Sequence, residues 1–252
     1  MRILLIRHGE PDYSRDGLTA AGRREAELLS RRLSKYHFRD IFVSPLGRAA
    51  ETAEYTLRLM GKTAEVLPWL AEFRGRYHDP ETGKDRIPWD FTPRFWLAHP
   101  ELLDPEAWAD APLFSGGTVR AIWDETKEGV DALMARYGFR KQGGIWLCGE
   151  NNRDTVALFC HFGISMAVLA YLIDVSPVLL WQRVLCHPAS LTEAVTEERV
   201  PGEAAFRITR LGDIGHLEAA GVRRSTFGLY PECFTGVDST DPSINHELPW
   251  DL

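Results

Sequence analysis

Four short segments of this 252-residue chain place chemically capable side chains directly behind apolar runs of strand length. Residues 2–6 are followed by Arg7, His8, Gly9 and Glu10, and residues 41–43 by Ser44-Pro45 with Arg48 shortly after. Residues 64–67 are followed, a few positions on, by Glu72, and residues 155–160 by His161, Phe162 and Gly163. In open α/β sheets ligands sit beyond the carboxyl ends of the strands. If these strands run parallel, two His, two Arg and one Glu converge on one sheet edge. That set suits phosphoryl transfer. Two guanidiniums hold a phosphoryl group through charge-assisted, often bidentate hydrogen bonds, and a helix start adds backbone N–H groups for an anion. A neutral imidazole nitrogen attacks phosphorus near pH 7. A second imidazole stabilises charge on the equatorial oxygens, and a carboxylic acid protonates the departing oxygen. The scheme requires no metal or other cofactor, and the sequence carries no HExxH, P-loop or EF-hand spacing.

Each piece alone has a plainer explanation. An Arg-His pair at a strand end is usually a loop contact, Arg48 in a first helical turn a solvated charge, and His161 a partner for a buried carbonyl. Glu10, Glu51 and Asp79 compete with Glu72 for the role of acid. The weight lies in the combination, because four elements must meet at one edge for the chemistry to exist.

The elements that would position these groups read as one α/β unit. Thr19 is a candidate N-cap for a helix with Leu18, Ala26, Leu29 and Leu33 at helical spacing. Ser44-Pro45 is a helix-start signal with Ser as cap and Pro at the first helical position, and that helix stops before Gly61. Six of the fifteen prolines fall between 80 and 112, beside Trp89, Trp96 and Trp108, a punctuation no long strand or helix tolerates. Residues from about 74 to 116 therefore read as an inserted cap of short helices and turns over the sheet. An amphipathic helix from 118 to 137 follows, then strands at 145–148 and 155–160, a buried helix at about 164–173, and a hairpin of 189–196 with 205–211 around Pro201-Gly202. Residues from about 219 to 252 form an irregular, Pro- and Asp-rich tail. The expectation is a three-layer sandwich with a mostly parallel central sheet flanked by helices, a single domain over 1–252 with the cap inserted. Twenty-nine Lys and Arg against 36 Asp and Glu give a charge of −7, which lacks the basic footprint of a nucleic-acid binder. No apolar run approaches the ~20 residues of a membrane span. The cysteines make no CxxC pair, as expected of reduced thiols in a cytoplasmic protein.

With those residues in view, the sequence resembles the histidine phosphatase superfamily, the phosphoglycerate mutase-like proteins. Leu5-Ile6-Arg7-His8-Gly9-Glu10 resembles that family's Arg-His-Gly signature behind its first strand. Ser44-Pro45-Leu46-Gly47-Arg48-Ala49-Ala50-Glu51-Thr52-Ala53 resembles its second Arg-bearing segment, Leu70-Ala71-Glu72-Phe73 the segment holding the acid, and Cys160-His161-Phe162-Gly163 the second histidine segment. The resemblance implies that His8 is transiently phosphorylated, that Arg7, Arg48 and His161 bind the phosphoryl group, and that Glu72 is general acid and base. Because Phe162-Gly163 rather than an acid follows the second His, it implies the larger branch of the superfamily. Ser14 stands where family members often carry an Asn that contacts phosphate, and Phe162 where Gly is commoner. A phosphate contact is expected from both, from Phe162 through its backbone N–H, with the ring narrowing the pocket. Glu25 stands where many members have Gln and is expected at the surface.

The resulting expectation is a phosphomonoester phosphatase acting on a small phosphorylated metabolite. The alternatives are a phosphoglycerate mutase-type isomerase and a non-catalytic phosphate-binding module. The mutases share a Glu-Arg-His-Tyr-Gly segment after the acid, whereas here Glu72 is followed by Phe73-Arg74-Gly75-Arg76-Tyr77-His78. In the insertion, Arg74, Arg76, Lys84, Arg86 and Arg94 offer positive charge to a substrate, and Trp89, Phe91, Phe95 and Trp96 either wall the pocket or fill the cap's own core.

Overall fold

The computed structural model describes residues 1–80 and 83–230. The first strand, β1 (Arg2–Arg7), is buried on both faces from Ile3 onward. A tiny hairpin of β2 (Pro11–Asp12) and β3 (Gly17–Leu18) then leads to α1 (Ala20–Leu33). Next come β4 (Asp40–Val43), α2 (Gly47–Met60) and β5 (Glu65–Val66). The insertion contains a second small hairpin, β6 (Tyr77–Asp79) with β7 (Lys84–Arg86), then α3 (Pro93–Leu97) and several single 3₁₀ turns. The remainder is α4 (Val119–Ala135), β8 (Phe139–Gln142), β9 (Ile145–Cys148), β10 (Thr155–Cys160), α5 (Phe162–Ile173), α6 (Pro177–Arg183), β11 (Leu191–Val200), β12 (Glu203–Asp213) and α7 (Gly215–Glu218).

Eight strands form the main sheet in the order β5-β4-β10-β1-β11-β12-β9-β8. The half from β5 to β1 is parallel, and the half from β11 to β8 joins it through antiparallel pairings. Alternation along β1 builds the three layers. Leu4 and Ile6 face one side, where they pack with Leu29 and Leu33 of α1 and Ala49 and Ala53 of α2. Ile3 and Leu5 face the other, against Val130 and Met134 of α4 and Met166 and Leu169 of α5. That second core continues into the insertion through Leu70, Phe73, Trp96 and Trp108. The cap and the sheet are thus joined by apolar packing rather than by a polar seam.

Local starts and stops follow sequence chemistry with one exception. Thr19 caps α1, its hydroxyl accepting from Gly22 N, and Gly61 closes α2 in the left-handed region at φ 62°. The exception is Ser44-Pro45. The helix begins two residues later, with Leu46 at the cap position and no side-chain cap. Ser44 directly follows β4, its N–H donating to Phe159 O at 2.9 Å, and its hydroxyl accepts from Leu46 N at 3.2 Å while lying 2.7 Å from His161 Nε2. The β6–β7 hairpin is a further difference, since its three-residue strands are too short to give a period. Trp181 is buried among Phe73, Trp89 and Trp108. Residues 231–252 of the expected tail lie outside the described residues. Among the described residues no helix is long and apolar enough to cross a membrane.

Candidate active site

Parallel register puts the two histidines side by side. Arg7 pairs with Cys160 across β1 and β10, so the next residue of each strand, His8 and His161, emerges at the same level. Their ring centroids lie 5.1 Å apart. The loop after β1 turns tightly over the start of α1, where a Cβ on Gly9 would stand 2.6 Å from Gly22 O and one on Gly22 2.2 Å from Glu10 O. Neither position has room for a side chain, so this contact holds the residue preceding it, His8, in a fixed place.

His8 is buried, and its Nδ1 lies 2.7 Å from Gly9 O. A carbonyl only accepts, so Nδ1 carries the proton and Nε2 presents its lone pair. Arg48 Nε donates to that Nε2 at 3.3 Å. Burial and then the charge of Arg7 hold the His8 pKa well below the ordinary imidazole value; the Gly9 contact opposes them, and the charge of Arg48 adds a smaller lowering. The nucleophilic form is therefore the resting form. His161 is fully buried with Ser44 Oγ 2.7 Å from its Nε2, and burial, followed by His8, Arg48 and Arg7, also lowers its pKa strongly.

Arg7 is buried at the end of β1. Its guanidinium donates to Cys186 O and, at 3.5 Å, to Phe227 O, and lies 5.9 Å from the Phe162 ring centroid. Arg48 donates to Asp16 Oδ1 at 2.6 Å and lies 5.3 Å from the Tyr13 ring centroid. Asp16 also accepts from Gly47 N at 2.6 Å, so one carboxylate ties the loop after β1 to the first turn of α2. Thr52 does the same from below, accepting from Gly9 N and donating to Arg48 O. Two buried atoms in this cluster, Arg7 Nε and His161 Nδ1, have no hydrogen-bond partner among the described residues.

Glu72 arrives from the far side, beyond a 3₁₀ turn at Pro68–Leu70. Its Oε1 accepts from Phe73 N at 2.8 Å and from Ile164 N at 2.9 Å, so the carboxyl sits over the first turn of α5 beside His161. A Cβ on Gly163 would be 2.7 Å from that oxygen, so only glycine admits this approach. Burial raises the Glu72 pKa, while the backbone N–H groups of Phe73, Ile164 and Gly163 and the charge of Arg48 act in the opposite direction. The competing carboxylates are engaged elsewhere: Glu10 with Thr19 and Ser225, Glu51 with Arg23 and Leu18 N, and Asp79 with Arg86.

The structure thus gathers Arg7, His8, Arg48, Glu72 and His161, with Phe162 as the first residue of α5 beside them. Ser14 is not brought in. It is exposed, and both its N–H and its hydroxyl donate to Asp12 Oδ1. Glu25 is a second correction. It is 1% exposed rather than at the surface, because Glu10 N donates to its Oε2 at 2.7 Å beneath the nucleophile loop. Among the described residues no group of three or more His, Cys, Asp or Glu is arranged to hold a metal ion.

The model of the histidine phosphatase superfamily, branch 1, matches residues 3–209. The chain belongs to that family. A curated relative, the probable phosphoglycerate mutase GpmB of Serratia proteamaculans (strain 568), is 21% identical over 227 residues, 86% of this chain and 95% of that protein. Among solved structures, the phosphoserine phosphatase of Entamoeba histolytica bound to phosphoserine superposes with a TM-score of 0.56 at 19% identity, covering 86% of this chain and 98% of that one. A mycobacterial glucosyl-3-phosphoglycerate phosphatase gives 0.56 at 24% identity over 84% and 98% of the two chains. The alpha-ribazole phosphatase of Shigella flexneri gives 0.54 at 20% over 85% and 97%. At these identities the superpositions establish the histidine phosphatase fold. Membership of the histidine phosphatase superfamily supports a hydrolase acting on phosphoric monoesters.

Proposed function

We propose that the protein is a metal-independent phosphomonoester phosphatase of small phosphorylated metabolites, working through a phosphohistidine on His8. The observation that carries this reading is a pair of buried donors without partners, Arg7 Nε and His161 Nδ1, beside the His8 Nε2 lone pair, which meets Arg48 Nε. A tetrahedral dianion satisfies all three kinds of atom at once, as phosphorus for the lone pair and oxygens for the two donors.

The proton on His161 follows from Ser44. Its Oγ accepts from Leu46 N at 3.2 Å, and its own hydrogen needs an acceptor in a buried place. Nε2 of His161, at 2.7 Å, is the acceptor within reach among the described residues. His161 is then the neutral Nδ1–H tautomer, a donor to the phosphoryl oxygen that needs no positive charge.

In the first step His8 Nε2 attacks phosphorus and the ester P–O bond breaks, Glu72 giving its proton to the departing alkoxide. In the second, water loses a proton to the Glu72 carboxylate and its oxygen attacks the phosphohistidine. The P–N bond breaks and orthophosphate leaves with Glu72 protonated again. Arg7 and Arg48 hold the equatorial oxygens throughout, Arg48 giving up its contact with His8 Nε2 as the phosphoryl group arrives. The mutase reading requires a further cation for a substrate carboxylate. Arg74 and Arg86 of the insertion are held by Glu125 and Asp79.

Quenched mixing with a labelled phosphomonoester tests the mechanism. The expected result is acid-labile, alkali-stable label on the protein, together with release of inorganic phosphate faster than isomerisation of 3-phosphoglycerate. Absence of label under conditions of turnover refutes the histidine mechanism, and faster isomerisation refutes the phosphatase assignment.

A further inference from the structure

The phosphoryl end of the site is polar, but the surroundings of the leaving group are aromatic. The point 2.7 Å from Glu72 Oε1 where a Gly163 Cβ would stand is also 2.9 Å from two atoms on the six-membered ring of Trp89. The rim of that indole therefore lies beside the proton donor. Trp89 is half-buried and held from behind, its carbonyl accepting from Gln182 and its ring packed on Phe73 and Trp181. Phe162, next to Gly163 on the same helix start, is half-buried with its ring near the Arg7 guanidinium. These two rings are the aromatic surfaces beside the start of α5, where the Glu72 carboxyl sits.

Three guanidiniums of the insertion and the sheet edge are already matched. Arg86 donates to Asp79 and to Asp90 O, Arg74 to Glu125, and Arg48 to Asp16. A second anionic group on the alcohol half would lie near the Glu72 carboxylate, and Arg74, Arg86 and Arg48 are each already occupied by a carboxylate. An uncharged ring instead gains contact area and offset or edge-to-face geometry against Trp89 and Phe162. Phe91, Trp96 and Trp108 take no part in this, being buried in the insertion's own core.

Resting on the phosphatase reading, we propose that this site takes phosphomonoesters whose alcohol half is an uncharged aromatic or similarly flat group, bound against Trp89 and Phe162. Benzyl phosphate, ethyl phosphate and 3-phosphoglycerate test it, because all three release alcohols rather than phenols and differ chiefly in what the pocket must hold. The wild-type protein is expected to favour benzyl phosphate in kcat/KM over each of the others by about tenfold or more. Trp89→Leu and Phe162→Leu are each expected to shrink the benzyl-to-ethyl ratio by roughly three- to tenfold. Thermal melting identifies which variants are folded, and Phe162→Leu keeps the test open should loss of Trp89 disturb the packing on Trp181. A wild-type preference for 3-phosphoglycerate, or an unchanged ratio in the folded variants, overturns the proposal. Inhibition of the wild type by orthovanadate separates the two levels: tight inhibition with a flat benzyl-to-ethyl ratio sinks this inference alone, whereas no inhibition removes the phosphatase reading beneath it.

Discussion

The edge of the parallel sheet and the insertion meet at Gly163, which Glu72 and Trp89 both approach, but are built on different principles. At the sheet edge, register does the positioning: Arg7 opposite Cys160 fixes His8 opposite His161, and backbone bonds of the strands hold both. In the insertion, short turns carry the chain, and packing of large rings such as Trp108 on Trp123 and Trp181 decides where each side chain lies. A group held by a ladder of backbone bonds is suited to chemistry that needs tight geometry, whereas a packed aromatic cluster supplies shape. Substitutions at the edge should therefore act on the chemical step and substitutions in the insertion on substrate preference. The sharpest way to break that contrast is His8→Ala. Turnover of every phosphomonoester should fall by about 10⁴-fold or more, because no second nucleophile faces the same phosphorus. A variant that keeps most of its steady-state activity would show that the edge does not carry the reaction.

Glu72→Gln separates the two halves of the catalytic cycle. With benzyl phosphate, whose alkoxide needs a proton, kcat should drop by about 10²- to 10⁴-fold. With 4-nitrophenyl phosphate, whose leaving group needs none, formation of phosphohistidine should be nearly unaffected and the burst should become visible as the second step slows. The pH profile sharpens the same point. Burial raises the Glu72 pKa, so its acid form persists further toward neutral pH than in an exposed glutamate. Activity on benzyl phosphate should fall as pH rises through that value, and this alkaline limb should vanish in the variant. An identical limb in Glu72→Gln would move the acid to another residue.

A smaller effect is expected from Ser44→Ala. Without the hydroxyl that donates to His161 Nε2, the imidazole is free to move its proton from Nδ1, and phosphate affinity should weaken by about tenfold. Nitrogen NMR of labelled protein reads the tautomer directly, with Nδ1–H expected in the wild type and a shift toward Nε2–H in the variant. An Nε2–H tautomer in the wild type would reverse the assigned direction of the Ser44 bond.

Residues directly behind buried strands were legible in the sequence because a parallel sheet leaves little choice about where they emerge. Arg7, His8 and His161 are of this kind. Glu72 was harder to read, since a 3₁₀ turn intervenes and its place is fixed by the N–H groups of Phe73 and Ile164. Ser44 was legible as a polar residue at a helix approach, and Leu46 N does donate to its hydroxyl, but its contact with His161 was not. Ser-Pro is a local helix signal, whereas the bond from Ser44 N to Phe159 O and the contact of its hydroxyl with His161 Nε2 join residues far apart in sequence. Asp16 carried no signal at all. The loop before α1 is crowded with polar side chains, and only the folded chain shows that Asp16 meets Arg48 while Ser14 turns to Asp12. The insertion's aromatics were legible as a group, but the division between the buried Phe91 and Trp96 and the half-buried Trp89 depends on packing that no periodicity encodes.

Glu25 shows the limit of local reading most plainly, and it yields the mildest prediction. On α1 it looks like one charge among many, yet it is buried beneath the nucleophile loop with Glu10 N donating to it. Burial is the main reason its pKa is pushed up to about 7, with the neighbouring Glu10 charge adding to the rise and the Glu10 and Ser225 N–H groups and Arg7 opposing it. The folded state therefore binds a proton that the unfolded chain, with its ordinary glutamate, releases between about pH 4.5 and pH 7. Folding stability contributed by this site is fully present below that window and is lost as pH rises through it. Glu25→Gln keeps an oxygen for Glu10 N and removes the titration. It should raise stability by about 1–3 kcal/mol at pH 8 and flatten the fall in melting temperature between pH 5 and pH 8, with kcat changed by less than about threefold. Because Glu25 supports the loop without touching the reacting atoms, a kcat loss comparable to that of Glu72→Gln would mean that the sheet edge extends its chemistry one layer deeper than the described contacts place it.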